Sequence, residues 1–307
     1  MEPISAAELE TLIRLAKKVM WCDEDLKRVI NSHGLHIIPP RFYCEIPTVE
    51  DIDNSFEFKE IETGAFNSPN IFKPDTIKDF IQKIGKYAKE FAPPLEGDVN
   101  NPSGFFWRNP AFSHSDAMAY YCIIRYLKPK RILEIGSGFS TLVADQALRK
   151  NNQGSLFIIE PYPKEFLKKL PTVEKIKESF VQDLPVKDLV DWIEEGDIWF
   201  IDSTHTVKNG SDCLYIYLKV MPEIKKKILV HSHDIHLPFP FSRQRLIEKN
   251  ITWTEQYLLY AYLLDNPKTE VLFSSTYCYR FLKEELTNLM MSKYSSGGGS
   301  LWYLLNR

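Results

Sequence analysis

The stretch that decides the fold reads Arg-Ile-Leu-Glu-Ile-Gly-Ser-Gly-Phe-Ser, at residues 131–140. A short apolar strand runs into a turn that contains Gly136 and Gly138, and a helical pattern follows. Because glycine has no Cβ, such a turn lets a ligand lie against the peptide groups, and the next helix offers unpaired N–H donors. The stretch therefore predicts a nucleotide-type cofactor site at the end of a strand.

Strand patterns alternate with helical patterns on the C-terminal side of this turn. The further predicted strands are 155–159, 177–181, 197–201, 228–230, 270–273 and 301–305. Strands separated by helices indicate parallel βαβ units. We therefore predict an α/β fold with a doubly wound, mostly parallel seven-stranded sheet. Residues 295–300, rich in serine and glycine, look like a flexible turn that leads into the final strand, most simply an antiparallel edge strand or hairpin partner.

The first 110 residues have a different pattern. One amphipathic helix is predicted over residues 5–30, with Ser5 and Glu8 as its capping pair, and a second over residues 76–91 between proline-rich segments. We predict a mainly helical accessory or lid region at residues 1–110 and the α/β domain at residues 111–307.

Composition narrows the class of protein. The net charge of −3 and the pI near 6.2 give no general reason to expect a nucleic-acid partner. The five cysteines are scattered and form no C-x-x-C motif, so neither a disulfide framework nor a thiolate zinc site is predicted. No apolar stretch approaches the ~20 residues that span a bilayer, and the first residues do not resemble a signal peptide. We expect a cytoplasmic protein without a membrane span.

The acids near the strand ends indicate which cofactor binds. Glu160 follows strand 155–159, where an acid can accept hydrogen bonds from both hydroxyls of a ribose. A dinucleotide site would have a third glycine three residues after Gly138, but Thr141 stands there. Glu134 precedes the first glycine by two residues, and this acid-x-Gly-x-Gly order argues against NAD.

Several segments together carry a family resemblance. They are Glu134-x-Gly136-x-Gly138, Trp199-Phe-Ile-Asp202-Ser-Thr-His205, Val230-His-Ser-His-Asp234 and the C-terminal Gly-Gly-Gly-Ser-Leu-Trp. In these the chain resembles the class I S-adenosylmethionine-dependent methyltransferases, in particular bacterial small-molecule enzymes, over about residues 111–307. The resemblance implies a Rossmann-like methyltransferase fold, S-adenosylmethionine as cofactor and a small-molecule methyl acceptor.

The resemblance also implies roles for particular residues. Glu134 and the glycine turn would shape the pocket for the methionine part of the cofactor, Glu160 would hold the ribose, and Gln182 with Asp183 would contact adenine. Ser140 stands where the common family pattern has a third glycine, and its hydroxyl could donate to the cofactor carboxylate. The full predicted cofactor set is Glu134, Gly136, Ser137, Gly138, Ser140, Glu160, Gln182, Asp183 and Asp202.

A metal site is a further implication that stays open. Metal-dependent O-methyltransferases of this class hold Mg²⁺ with an acid after strand four and two oxygen ligands after strand five. Asp202 matches the first position, and His233 with Asp234 occupies the second. Because Mg²⁺ prefers oxygen ligands, His233 suits Mn, Fe, Ni or Zn better.

His205 stands three residues after Asp202, where those enzymes place the base that deprotonates the acceptor hydroxyl. A histidine near its ordinary pKa of ~6.5 can do this at neutral pH. We predict catalytic roles for His205, Asp202 and Asp234, and O-methylation of a small metabolite or sugar-type hydroxyl.

Two other functions stay open at this point. One is a metal-dependent hydrolase or oxygenase that uses Asp202 and the cluster His231–His236. The other is a non-catalytic cofactor-binding scaffold. A homodimer is one of the oligomeric states that the sequence allows.

Overall fold

The computed structural model describes residues 3–98 and 104–306, and it divides into two compact units, residues 1–58 and 59–307. In the first unit, Ile52 is the one buried hydrophobic side chain among the described residues. Each described helix is too short or too polar to traverse a lipid bilayer.

A single seven-stranded sheet forms the centre of the second unit, in the order β3-β2-β1-β4-β5-β7-β6. Its strands are β1 Arg131–Ile135, β2 Ser155–Ile159, β3 Val173–Lys177, β4 Ile198–Ile201, β5 Ile228–Ser232, β6 Thr269–Ser274 and β7 Leu301–Leu305. The strands β1 to β5 pair in parallel. Both β4 and β5 are buried at every position, as strands of a parallel sheet covered on both faces must be. β4 is apolar throughout, whereas β5 ends in the buried polar residues His231 and Ser232.

Thirteen helices accompany the strands in the described residues. They are α1 Ala6–Val19, α2 Glu24–Ser32, α3 Val49–Asn54, α4 Phe56–Lys59, α5 Pro74–Ile84, α6 His114–Leu127, α7 Phe139–Asn151, α8 Val186–Asp191, α9 Asp212–Tyr215, α10 Arg243–Glu248, α11 Glu255–Leu263, α12 Ser275–Phe281 and α13 Lys283–Leu289. The mostly parallel, doubly wound sheet predicted from the sequence is confirmed.

The last strand differs from the prediction in its position. It is antiparallel, as expected, but it pairs with β5 on one side and β6 on the other, so it is not an edge strand. Four of its five residues are buried, among them Trp302. A strand this apolar is stabilised by neighbours on both sides. The edge of the sheet beyond it is formed by β6.

The third strand is also displaced from its predicted place. It occupies Val173–Lys177, whereas residues 177–181 were predicted. Of that predicted range, Lys177 is the last residue of the strand and Val181 begins a 3₁₀ turn, Val181–Asp183. This edge strand has only two half-buried apolar residues, Val173 and Ile176, and its other three residues are charged and exposed. So few apolar residues give a weak strand pattern, and the predicted position was therefore wrong. The helix expected near residues 164–170 is reduced to a 3₁₀ turn at Leu167–Lys169.

The helix predicted over residues 5–30 is two helices. The Ser5–Glu8 capping box at the start of α1 is present as predicted. A second start signal lies at Asp23, whose side chain accepts the Leu26 N–H at 2.9 Å and caps α2. Because an N-cap residue has extended backbone, a continuous helix cannot pass through it.

The predicted boundary at residue 110 differs from the structure, whose second unit begins at Lys59. In that unit α5 packs against α6 and β6 and buries Ile77, Ile81 and Ile84 in the shared core. Residues 59–98 therefore belong to the same compact body as the sheet. A lid role for the N-terminal region stays a prediction.

Candidate active site

The glycine turn after β1 lies directly against the end of β4. Gly136 has φ +82°, and a Cβ added there would lie 1.9 Å from the carbonyl oxygen of Asp202. The Asp202 N–H donates to the Ile135 carbonyl at 2.8 Å, which ties the two strand ends together. By contrast, a Cβ on Gly138 would have no heavy atom within 4 Å. The absence of a side chain at Gly136 therefore lets the ends of β1 and β4 lie close together, whereas Gly138 leaves open space on the outer side of the turn.

Glu134 supports this turn from inside. Its buried carboxylate accepts hydrogen bonds from the Tyr120 hydroxyl at 2.9 Å and the Thr141 hydroxyl at 2.7 Å. The Gly138 N–H donates to the same Thr141 hydroxyl at 3.1 Å. Burial raises the pKa of Glu134 to about 7, although both hydrogen bonds oppose that shift. Glu134 thus holds the turn in place through Thr141. In the sequence, Thr141 was noted only because a dinucleotide site would have glycine at that position.

The structure brings Glu160 to the same turn. Its Oε2 accepts from the Ser137 N–H at 3.2 Å and lies 3.4 Å from the Ser137 hydroxyl, and its Oε1 accepts from the Tyr162 N–H at 2.9 Å. The acid after β2 and the glycine turn after β1 are therefore adjacent, as predicted from the shared edge of parallel strands.

The other predicted cofactor residues lie in two places. Ser140 is buried in the first turn of α7. Gln182 and Asp183 lie in the 3₁₀ turn after β3, where Asp183 is exposed. The buried side-chain oxygen of Gln182 has no hydrogen-bond partner among the residues that the structure describes.

Beyond the ends of β4 and β5, four of the predicted site residues form one cluster: Asp202, His205, His233 and Asp234. Asp202 Oδ1 is 3.3 Å from His205 Nε2 and 3.3 Å from His233 Nδ1. Asp234 Oδ2 is 3.6 Å from His205 Nε2 and 3.8 Å from His233 Nδ1. One ligand atom each of Asp202, His233 and Asp234 fit within 4.8 Å of one another. The predicted catalytic and metal residues are therefore brought together.

Two members of the cluster have an unusual backbone conformation. His205 has φ +58° and Asp234 has φ +51°, in the left-handed region that non-glycine residues seldom adopt. The His205 carbonyl accepts from the N–H groups of Thr254 and Glu255, which holds this conformation. Such strain costs about 1–3 kcal/mol per residue and concentrates at functional sites.

The cluster is strongly coupled electrostatically. Burial by itself would raise the pKa of Asp202, but the neighbouring His233 and His205 hold it well below its ordinary range. Burial by itself would lower the pKa of both histidines, but Asp202 and Glu255 raise that of His205 to about 10, and Asp202 and Asp116 raise that of His233 well above 6.5. In both histidines, therefore, the neighbouring carboxylates favour the protonated ring.

Sequence reasoning missed two buried carboxylates behind the cluster. Asp116, on α6, lies with Oδ2 3.2 Å from His233 Nε2, and Glu255, on α11, lies with Oε2 2.9 Å from His205 Nδ1. Their partners are 117 and 50 residues away in the chain, and no local motif marks either acid.

The glycine-rich segment at residues 295–300 is not the flexible turn that was expected. The N–H groups of Gly299 and Ser300 donate to the Asp116 carboxylate at 2.9 and 3.0 Å. A Cβ on Gly298 would lie 2.3 Å from the oxygens of that carboxylate. A glycine is required at position 298 because this part of the segment packs tightly against the start of α6.

The other two histidines near β5 do not join the cluster. His231 Nε2 lies 2.8 Å from the Ser300 hydroxyl, its ring stacks on Phe200 at 4.0 Å, and burial holds its pKa well below 6.5. His236 packs on Phe241, and burial lowers its pKa to about 4. The three-histidine centre that a hydrolase or oxygenase was predicted to use is therefore not formed.

Comparison with known proteins gives the family of this site. The family model described as a methyltransferase domain matches residues 133–235, which include every predicted site residue. The chain belongs to the class I S-adenosylmethionine-dependent methyltransferases. It is an S-adenosylmethionine-dependent methyltransferase, so the scaffold alternative is set aside.

Individual relatives of the methyltransferase are distant. An uncharacterized protein of Archaeoglobus fulgidus is 30% identical over 183 residues, which make up 58% of this chain and 80% of that protein. An O-methyltransferase from Bacillus cereus in complex with SAH is 12% identical and overlaps 77% of this chain and 93% of its own, with a TM-score of 0.35. The O-methyltransferase TomG from Streptomyces achromogenes is 14% identical, and the match covers 82% of this chain and 100% of TomG, also with a TM-score of 0.35.

Proposed function

We propose that this methyltransferase transfers the methyl group of S-adenosylmethionine to a hydroxyl oxygen of a small metabolite or sugar-type acceptor. The contact between Gly136 and Asp202 is the observation that carries the proposal. It puts the turn for the methyl donor and the cluster of Asp202, His205, His233 and Asp234 side by side. A methyl group bound at the turn would then face a cluster able to orient and deprotonate an oxygen.

The residues around the turn fit the methyl donor. The open space at Gly138 admits its methionine part, and the Gly138 backbone lies at the start of α7, where helix N–H groups favour a carboxylate. Glu160, held by Ser137 and Tyr162, would accept from the ribose hydroxyls. The side-chain oxygen of Gln182, which has no partner within residues 3–98 and 104–306, is a candidate acceptor for the adenine amino group.

His205 is the proposed base. In the transfer, a bond forms between the methyl carbon and the acceptor oxygen, the carbon–sulfur bond breaks with its electron pair on sulfur, and the hydroxyl proton leaves to His205 Nε2. Asp202 and Asp234 hold that nitrogen toward the space beyond β4 and β5. His205 must first lose the proton that these carboxylates stabilise, and a cation bound to them would favour that loss.

A divalent metal ion fits the same residues. Asp202, His233 and Asp234 offer two carboxylate oxygens and one imidazole nitrogen within reach of one ion. This mixed donor set suits Mn, Fe or Zn better than Mg²⁺. When bound, such an ion would polarise the acceptor hydroxyl as a Lewis acid.

The proposal is tested by calorimetry with S-adenosylmethionine, followed by turnover on a panel of small hydroxyl acceptors, with adenosylhomocysteine release as the readout. Glu160→Ala should weaken donor binding about 10–150-fold, because a ribose contact made to a charged group is worth roughly 1.5–3 kcal/mol. The exposed Glu165→Ala is the matched control and should bind as the wild type does.

His205→Ala should keep donor affinity and lose about 10²–10⁴-fold in turnover, the usual contribution of a general base. An unchanged rate in this variant would remove the base assignment. Absence of donor binding by the wild-type protein would refute the proposed function as a whole.

A further inference from the structure

The burial of the cluster indicates the side from which an acceptor can reach it. The side chains of its two histidines are 6% and 7% exposed, whereas those of Asp202 and Asp234 are 30% and 22% exposed. Arg245 lies next to the more exposed carboxylates: its Nη1 is 3.9 Å from Oδ1 of Asp234, and its side chain is 47% exposed. An acceptor that comes from solvent to His205 therefore approaches on the side where Arg245 lies.

The half-buried ring of Trp253 borders both the proposed base and Arg245. Its centroid is 4.6 Å from that of the His205 ring, and the Cζ of Arg245 lies 5.8 Å from it. The buried Phe241 packs on the indole at a centroid distance of 5.0 Å. Because Trp253 keeps part of its surface open to solvent, it offers an apolar face on which a ring can stack.

Hydrogen bonds tie both side chains to the rest of the site. The carbonyl of Arg245, on α10, accepts from the Ile251 N–H at 3.1 Å. Three residues further on, the Thr254 N–H donates to the His205 carbonyl at 2.8 Å. The segment that carries Trp253 is thus bonded to α10 on one side and to the loop after β4 on the other, so the arginine and the indole keep a fixed place relative to the base.

The guanidinium of Arg245 has donors available for another anion. Its 3.9 Å distance from Asp234 is longer than a hydrogen bond, and about half of the side chain faces solvent. Arginine presents five N–H donors in a planar fork, which matches the paired oxygens of a carboxylate or phosphate. A cation in this place favours an acceptor with a negative charge, and the face of Trp253 favours one with a ring.

We infer that Arg245 and Trp253 form an acceptor subsite that selects ring-shaped hydroxyl compounds bearing a carboxylate or phosphate group. The inference rests on the proposed function and narrows its acceptor to an anionic class. The ring would lie on Trp253 and the anionic group on Arg245, with a hydroxyl directed at His205 Nε2, the proton acceptor of the transfer.

A purely structural role for Arg245 makes a different prediction. If the arginine only balanced the charge of Asp234, its loss would change the stability of the protein. The wild type would then not distinguish a charged compound from a neutral one of the same shape. Matched charged and neutral compounds therefore separate the two roles.

The test uses the full chain with bound adenosylhomocysteine and measures binding by calorimetry. The carboxylate probes are glucuronate with glucuronamide and 3,4-dihydroxybenzoate with 3,4-dihydroxybenzamide, and the phosphate probe is glucose 6-phosphate with glucose. In at least one pair, the wild type should bind the charged member about 10–150-fold more tightly, the range expected for a hydrogen bond to a charged group. The pair with the largest preference tells carboxylate from phosphate.

Variants assign this preference to particular side chains. It should disappear in Arg245→Ala, and Arg245→Lys should retain part of it, because lysine keeps the charge but not the fork. Lys249→Ala is the matched control, since it removes an exposed positive charge from the end of the same helix, and it should keep the wild-type preference. Trp253→Leu should weaken the binding of charged and neutral members alike by about 2–10-fold, because both lose the ring contact.

Three results would overturn the inference: equal binding of charged and neutral members by the wild type, binding of none of the charged probes, and the wild-type preference in Arg245→Ala. Unchanged binding by Trp253→Leu would overturn the part assigned to the indole. In each case, methyl transfer by the wild type to a neutral acceptor would leave the proposed function standing. Failure of the wild type to bind S-adenosylmethionine would refute that function before any acceptor is tested.

Discussion

Gly136 is the position where one added methyl group should separate folding from cofactor binding. In Gly136→Ala the new Cβ would meet the Asp202 carbonyl oxygen at 1.9 Å, while ordinary contacts begin at 3.4 Å. The ends of β1 and β4 must then move apart by roughly 1.5 Å, enough to break the hydrogen bond from Asp202 to Ile135 at a cost of about 1 kcal/mol. The left-handed backbone costs alanine about 1–2 kcal/mol more, and displaced packing about 1–3 kcal/mol.

We therefore expect Gly136→Ala to lower the free energy of unfolding by about 3–6 kcal/mol, which lies in the long tail of point substitutions. The assay is chemical denaturation followed by tryptophan fluorescence, with calorimetry against S-adenosylmethionine in parallel. Gly138→Ala is the matched control, because its Cβ enters open space. It should change the unfolding free energy by less than about 1 kcal/mol and weaken donor binding at least tenfold.

Two results would refute this reasoning. One is a Gly136→Ala protein that is within about 1 kcal/mol of the wild type in stability, since the clash and the left-handed backbone could not then both be real. The other is a Gly138→Ala protein that binds the donor as tightly as the wild type, which would mean that the donor does not occupy the open side of the turn.

Three further predictions concern buried polar groups. The pKa of Glu134 rises from 4.5 to about 7 on folding, so this residue favours the folded state below pH 4.5 and loses that contribution as the pH rises through 7. When the pH is raised from 5 to 8, the unfolding free energy of Glu134→Gln should therefore fall by about 2–3 kcal/mol less than that of the wild type. An equal pH dependence of the two proteins would contradict this. In Gly298→Ala the new Cβ would lie 2.3 Å from the Asp116 carboxylate, so this variant should have both a lower melting temperature and a weaker affinity for Mn²⁺. If neither quantity changed, the glycine-rich segment would not hold Asp116. Tyr217→Phe removes one donor to Glu255 and should cost about 1–3 kcal/mol in denaturation, with unchanged stability as the contrary result.

The parallel part of the site could be predicted from the sequence. Glu160 and the glycine turn come together because the carboxyl ends of parallel strands share one edge of the sheet. The same rule places Asp202 and Asp234 beside each other after β4 and β5. For these residues, strand order and the residue after each strand are sufficient information.

Weakly patterned elements could not be placed in this way. Three of the five residues of the edge strand β3 are charged, so its apolar pattern is weak and its start was predicted four residues too late. The break between α1 and α2 depends on one capping aspartate inside a continuous apolar pattern. In both places local sequence is compatible with more than one structure, and the surrounding contacts choose between them.

By itself, the sequence determined the sheet, the glycine turn and the acids and histidines that follow the strands, because each of these depends on short-range patterns and on the geometry of parallel strands. Only the tertiary structure decided what those side chains do. Asp116 and Glu255 reach the cluster from α6 and α11, His231 turns to Ser300, and the segment from Gly298 to Ser300 closes on Asp116. Such contacts join residues far apart in the chain, and packing of the whole domain, which no local pattern encodes, sets which nitrogen of each histidine faces the site.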